Sequence, residues 1–79
     1  MTQELQQAIS EASQDPQGQG YCQEISMILE ARARSELSKE EAEYLLREMA
    51  EVRLAQEVAQ NEQWARWCVQ AINLAAKLV

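Results

Sequence analysis

The sequence predicts an all-α fold, a small bundle of three to four helices. Three observations predict it. Apolar residues recur at spacings of three and four in each long segment. No run of four to eight β-branched residues alternates in the manner of a strand. The single proline and both glycines sit together within residues 15–20, so the rest of the chain is free of helix breakers. The spacing places helices at about 2–14, 21–36, 38–60 and 62–78, the last two forming one long helix in an alternative reading. At 79 residues the chain makes one domain, residues 1–79, close to the lower size limit for a self-sufficient core.

The first helix opens on Thr2, whose hydroxyl suits an N-cap, with Glu4 facing the positive end of the helix dipole. Leu5, Ala8, Ile9 and Ala12 come next as one stripe. Two of the four are alanines, so this helix needs a groove to lie in. Asp15-Pro16-Gln17-Gly18-Gln19-Gly20 reads as a flexible loop that ends it. The Gly-x-Gly here follows a helix rather than a strand and lacks a third glycine or a lysine at phosphate-loop spacing. It is expected to connect rather than to bind.

The second helix carries Tyr21, Cys22, Ile25, Ile28, Leu29 and Ala33 on one face, with Glu30 and Arg34 paired in the favourable order. Met27 lies beside this stripe, at the edge of the core or on a methionine-lined contact surface. The most specific local signal comes next. Ser38 and Glu41 have the spacing of a capping box, and Leu37 and Ala42 occupy the positions of a hydrophobic staple. A helix therefore starts here, and its first acids are explained by capping.

The third helix continues through Leu45, Leu46, Met49 and Val52, with Glu43–Arg47 and Arg53–Glu57 expected to pair on its outer face. Beyond Val52 the stripe breaks. Arg53, Gln56 and Gln60 fall where apolar residues should continue, while Leu54 and Val58 appear on another side. Either one helix of about 40 residues acquires a second contact face, or the chain turns at Gln60-Asn61-Glu62. The hairpin is favoured, with Asn61 as the cap of a fourth helix and Glu62 paired with Arg66.

In that last helix Arg66, Gln70, Asn73 and Lys77 fall in one narrow stripe, and apolar residues occupy the rest of the circumference. A helix of this kind is normally buried, so the other segments, or a partner, are expected to pack around it.

The net charge is −6, and residues 1–60 hold twelve of the thirteen acids but five of the seven bases. That balance disfavours nucleic-acid phosphates and anionic membrane surfaces, both of which need clustered Lys and Arg. No apolar run is long enough to span a bilayer, and the polar, acidic start MTQELQQ does not read as a secretory leader. Histidine is absent, which removes the commonest general base and most zinc sites. Cys22 and Cys68 are expected as reduced, buried thiols. The expectation is therefore no enzyme, no catalytic residue, no metal, no cofactor and no small-molecule substrate.

These properties point to a non-enzymatic protein–protein interaction or assembly subunit, working with a protein partner or as a homo-oligomer. The C-terminal helix would supply the contact, with Trp64, Trp67, Ile72 and Leu78 as protein-interface anchors. One alternative is an acidic inhibitor that occupies a basic groove of a host nucleic-acid enzyme. A third reading is a small DNA-binding regulator that uses the helix carrying Arg32 and Arg34. In size and in the run SKEEAEYLLREM the chain resembles the short acidic helical proteins that bacteriophage genomes encode. That resemblance covers a small part of the chain and assigns no residue a role. The expected location is cytoplasmic, in the host cell or the virion if the chain is phage-encoded.

Overall fold

The computed structural model describes residues 2–56 and 62–79. Among these residues the fold is all-α, with four helices and no strand. Helix α1 spans Gln3–Ala12, α2 spans Pro16–Ala33, α3 spans Lys39–Glu48 and α4 spans Gln63–Leu78. A π-helical turn, Met49–Arg53, extends α3 into a short α-helical stretch, Leu54–Gln56.

Thr2 caps α1 as its position requires: its hydroxyl accepts the Leu5 N–H at 3.2 Å. Leu5, Ala8 and Ala12 are buried and Ile9 is half-buried, so the weak apolar stripe finds its groove.

The loop expected over 15–20 is shorter than its composition suggests. Asp15 is the N-cap of α2, its carboxylate accepting the Gln17 N–H at 2.9 Å. Pro16 takes the first helical position, where a missing N–H is harmless and a fixed φ suits the helix. Both glycines are therefore helical. Gly18 is buried because the first turn of α2 passes against the end of α1. A Cβ at Gly18 would stand 1.9 Å from the Ala12 carbonyl oxygen, whereas at Gly20 it would meet open space.

At its other end α2 stops at Ala33 rather than near Glu36. Ser35 adopts a left-handed conformation, φ 63°. Its N–H donates to the Arg32 carbonyl at 3.0 Å, and the Glu36 N–H donates to the Ala31 carbonyl at 2.9 Å. These two bonds close the helix as a Schellman motif.

The capping box of α3 forms in full. The Glu41 N–H donates to Ser38 Oγ at 3.1 Å, and the Ser38 N–H donates to Glu41 Oε1 at 2.9 Å. Ala42 is fully buried and Leu37 is half-buried. Of the expected i,i+4 pairs, Glu30–Arg34 is present at 3.7 Å. Glu43 and Arg47 form no ion pair, nor do Glu62 and Arg66, among the described residues. Glu57, the expected partner of Arg53, lies outside the described residues.

The break in the stripe after Val52 has a specific cause. The Leu54 N–H donates to the Met49 carbonyl, five residues back instead of four. In an uninterrupted α-helix Arg53 would follow Leu46 and Met49 toward the core, and Leu54 would rotate about 100° away. The extra residue in the turn returns Leu54 to the core and sets Arg53 at its edge.

After this extension the chain reverses, because α4 packs back against α3 and the π turn. That excludes a single long helix. Asn61, the expected cap, lies outside the described residues. Glu62 precedes α4 in extended conformation and makes no side-chain cap.

Helix α4 is the centre of the fold. It packs most extensively on α1 and also on α2, α3 and the π turn. Trp64, Ala65, Cys68, Ala71, Ile72 and Ala75 are buried, while Arg66, Gln70, Asn73 and Lys77 are all exposed along their stripe. The apolar circumference read in the sequence is thus largely covered by the same chain. No described helix is long and apolar enough to cross a membrane.

Candidate functional site

The four expected anchors do not share one surface. Trp64 is 7 % exposed, and its ring stacks on Tyr21 with centroids 6.2 Å apart and planes at 26°. Ile72 is 1 % exposed. Both belong to the internal core, Trp64 also edging the cleft that Trp67 lines. The reason is that α1, α2 and α3 cover the face they occupy. Trp67 is half-buried beside Glu11 and Asp15, where the end of α1 meets the start of α4. Leu78 is 46 % exposed, near Thr2 and Glu4 at the opposite end of α4. Eleven residues, or about 16 Å of helix, separate these last two.

A different surface carries Met27, the most exposed large apolar side chain among the described residues. Met27 and Ile28 on α2 face Leu45 and Met49 across a groove between α2 and α3. Met27 is 67 % exposed; Tyr44, 65 % exposed, lies outside the groove lining, one turn before Glu48 on α3. The groove encloses about 240 Å³. That is smaller than the 300–1,000 Å³ usual for drug-sized ligands, so it suits inserted side chains better than a buried small molecule.

Glu24 and Arg53 close one end of this groove. The guanidinium grips the carboxylate with both arms: Nη2 donates to Oε1 at 2.9 Å and Nη1 donates to Oε2. The Arg53 Cζ also lies 5.3 Å from the centroid of the Tyr21 ring, which in turn stacks on Trp64. A ladder Glu24–Arg53–Tyr21–Trp64 therefore ties α2, the π turn and α4 together. The π turn makes this possible, since it sets Arg53 at the edge of the core. The pair is too exposed to contribute more than about 1 kcal/mol as an ion pair. Its value is positional: two prongs and a stacked ring hold Arg53 in one place.

The outer rim is acidic. Glu48 is half-buried and accepts a hydrogen bond from the Tyr44 hydroxyl one turn earlier; that bond, reinforced by the Glu48 charge, pushes the phenol above its ordinary value. Glu41 lies on the same face of α3, one turn before Leu45. Its hydrogen bonds from the Ser38 backbone and side chain hold its carboxyl below the ordinary 4.5, so it stays ionised at neutral pH.

The two cysteines are free thiols inside the core. The Cys22 Sγ donates to the Ile9 carbonyl at 3.5 Å. Burial, with Cys22 beside it, pushes the Cys68 thiol up to about 12, which leaves it protonated and unreactive. Among the described residues no three His, Cys, Asp or Glu side chains are grouped to hold a metal ion.

Sequence reading singled out Met27 but neither Tyr44 nor the groove. The signal for Tyr44 was its place on the solvent side of α3, one turn before Glu48. The groove itself arises only when two helices are set side by side. Compared with protein-family models, curated proteins and solved structures, the chain matches none.

Proposed function

We propose that this chain is a non-enzymatic interaction subunit that binds another protein in the groove between α2 and α3. The observation that carries this reading is the exposure of Met27 in a groove lined by half-buried Ile28 and Leu45, with exposed Tyr44 one turn before the lining residue Glu48. Tyrosine and methionine are enriched at the centres of protein interfaces. Methionine is also flexible enough to repack around an incoming side chain. Helix α4 serves this surface from behind, as the spine on which α2 and α3 rest.

A different protein suits the groove better than a second copy. Self-association would bring Glu41 and Glu48 of one chain toward the same acids of the other, and like charges across an interface are costly. The surplus of acids in residues 1–60 also favours a second reading, an inhibitor that occupies the basic groove of a nucleic-acid enzyme. The two differ in salt response. Apolar docking persists at high salt, whereas binding by charge alone collapses.

The test is selection of a displayed library of helical peptides on the immobilised chain, with Met27→Glu as the counter-target. Sequences that hold the native chain and release Met27→Glu support the reading, whatever their charge. No enrichment, or equal binding to both targets, defeats it.

A further inference from the structure

We infer that the partner segment seated between α2 and α3 is a basic amphipathic helix, apolar on one face and flanked by Lys or Arg. The inference rests on the reading that this groove binds protein, and it names the kind of segment bound.

Shape is the first argument. The groove runs between two helices and presents Met27, Ile28 and Leu45 as a short apolar floor, with buried Met49 beneath them. Helices that dock in such grooves insert side chains at i, i+3 or i+4, and i+7. An extended strand would need a sheet edge to pair with, and the described residues form no sheet.

Charge is the second argument. Two carboxylates line the groove, Glu24 on α2 and Glu48 on α3, and Glu41 lies about two turns before Glu48 on the same face of α3. The cation lining the groove is Arg53, and it is already engaged by Glu24 and the Tyr21 ring. Exposed Glu41 and half-buried Glu48 form no ion pair among the described residues, so their charges are not neutralised, on a chain whose net charge is −6. A helix flanked by Lys or Arg satisfies both acids while its apolar face covers Met27. An acidic helix or a nucleic-acid backbone would be repelled by the same pair.

The experiment uses the full chain labelled at its methionine methyl groups. The probe is a synthetic peptide of Leu and Lys patterned as an amphipathic helix, with a Leu and Glu peptide of the same pattern as its opposite. The Leu/Lys peptide should shift the Met27 and Met49 methyl signals to saturation, and the Leu/Glu peptide should not. Glu48→Lys should weaken binding by about tenfold or more, the scale of losing a close charge pair. Glu4→Lys makes the same change in net charge on α1 and should alter binding by less than about twofold.

Equal loss from both substitutions would mean general attraction to an acidic protein, and would overturn the inference. So would unmoved Met27 and Met49 signals, equal binding of the Leu/Glu peptide, or no binding of either. Neutral or acidic sequences selected from the display library would sink this inference alone, whereas an empty selection would sink the interaction reading with it.

Discussion

The backbone N–H of Leu54 donates to the carbonyl of Met49, five residues earlier. This bond identifies the turn as one residue wider than an α turn. It keeps both side chains in the core and places Arg53 where it meets Glu24. Removing one residue from the turn should restore α-helical spacing without moving Met49 or Leu54 off the core face. Deletion of the exposed Glu51 is therefore expected to leave thermal unfolding cooperative and within about 1 kcal/mol of the native chain. Deletion of Glu43, inside the regular helix, rotates the remainder of α3 by about 100° and should abolish the cooperative transition. Circular dichroism melts decide it: a collapse of the Glu51 deletion would contradict the extra-residue account.

The two glycines of α2 should respond in opposite directions. Gly18→Ala drives a methyl into the Ala12 carbonyl, a backbone atom that cannot turn aside, and should cost about 1–3 kcal/mol or more. Gly20→Ala meets open space in a helix and should add about 0.5–1 kcal/mol by reducing the freedom of the unfolded chain. Urea midpoints at unchanged slope measure both. Equal effects would mean that α1 and α2 do not approach as described.

Cys68 makes stability fall at high pH. Its thiol is raised from 9.0 to about 12 by burial first, then by neighbouring Cys22 and Asp15. Folding thus favours the neutral thiol. This contribution is complete below pH 9 and is lost as pH rises from 9 toward 12. Cys68→Ala should remove that part of the decline. At pH 8 an aromatic disulfide reagent should leave Cys68 untouched in the folded chain and modify it in urea. Fast modification of the folded chain would show that the thiol is not enclosed.

Truncating the two tryptophans should separate core from edge. Trp64→Ala removes a buried ring stacked on Tyr21 and should cost about 3–5 kcal/mol. Trp67→Ala, half-buried, should cost less, about 1–2 kcal/mol. Chemical denaturation reads both. A Trp67 loss equal to that of Trp64 would place both rings in the core.

Much of this fold is legible in short-range pattern. The Thr2 cap, the Ser38–Glu41 capping box and the exposed Arg66–Gln70–Asn73–Lys77 stripe each depend on spacing within one helix, and each forms as read. What escaped depends on contacts between helices. Asp15-Pro16 carries the signature of a cap followed by a first-turn proline, but two glycines beside it argued for a loop. Only the approach of Ala12 explains why Gly18 stands there. The phase shift after Val52 was visible, yet no Gly or Pro marks a π turn, so it admitted other causes. An apolar circumference on α4 likewise does not say whose side chains cover it. Trp64 and Ile72 turned out to be covered by their own chain.

The mass of the chain in solution tests most directly whether α4 is spent inside its own bundle, leaving the α2–α3 groove for a different protein. Light scattering over a concentration series, at low and high salt, should return the mass of one chain throughout. A larger particle that persists at high salt and dissociates with Trp67→Ala or Leu78→Ser would contradict this. It would mean that α4 faces a second copy and that the function resides in the assembled particle.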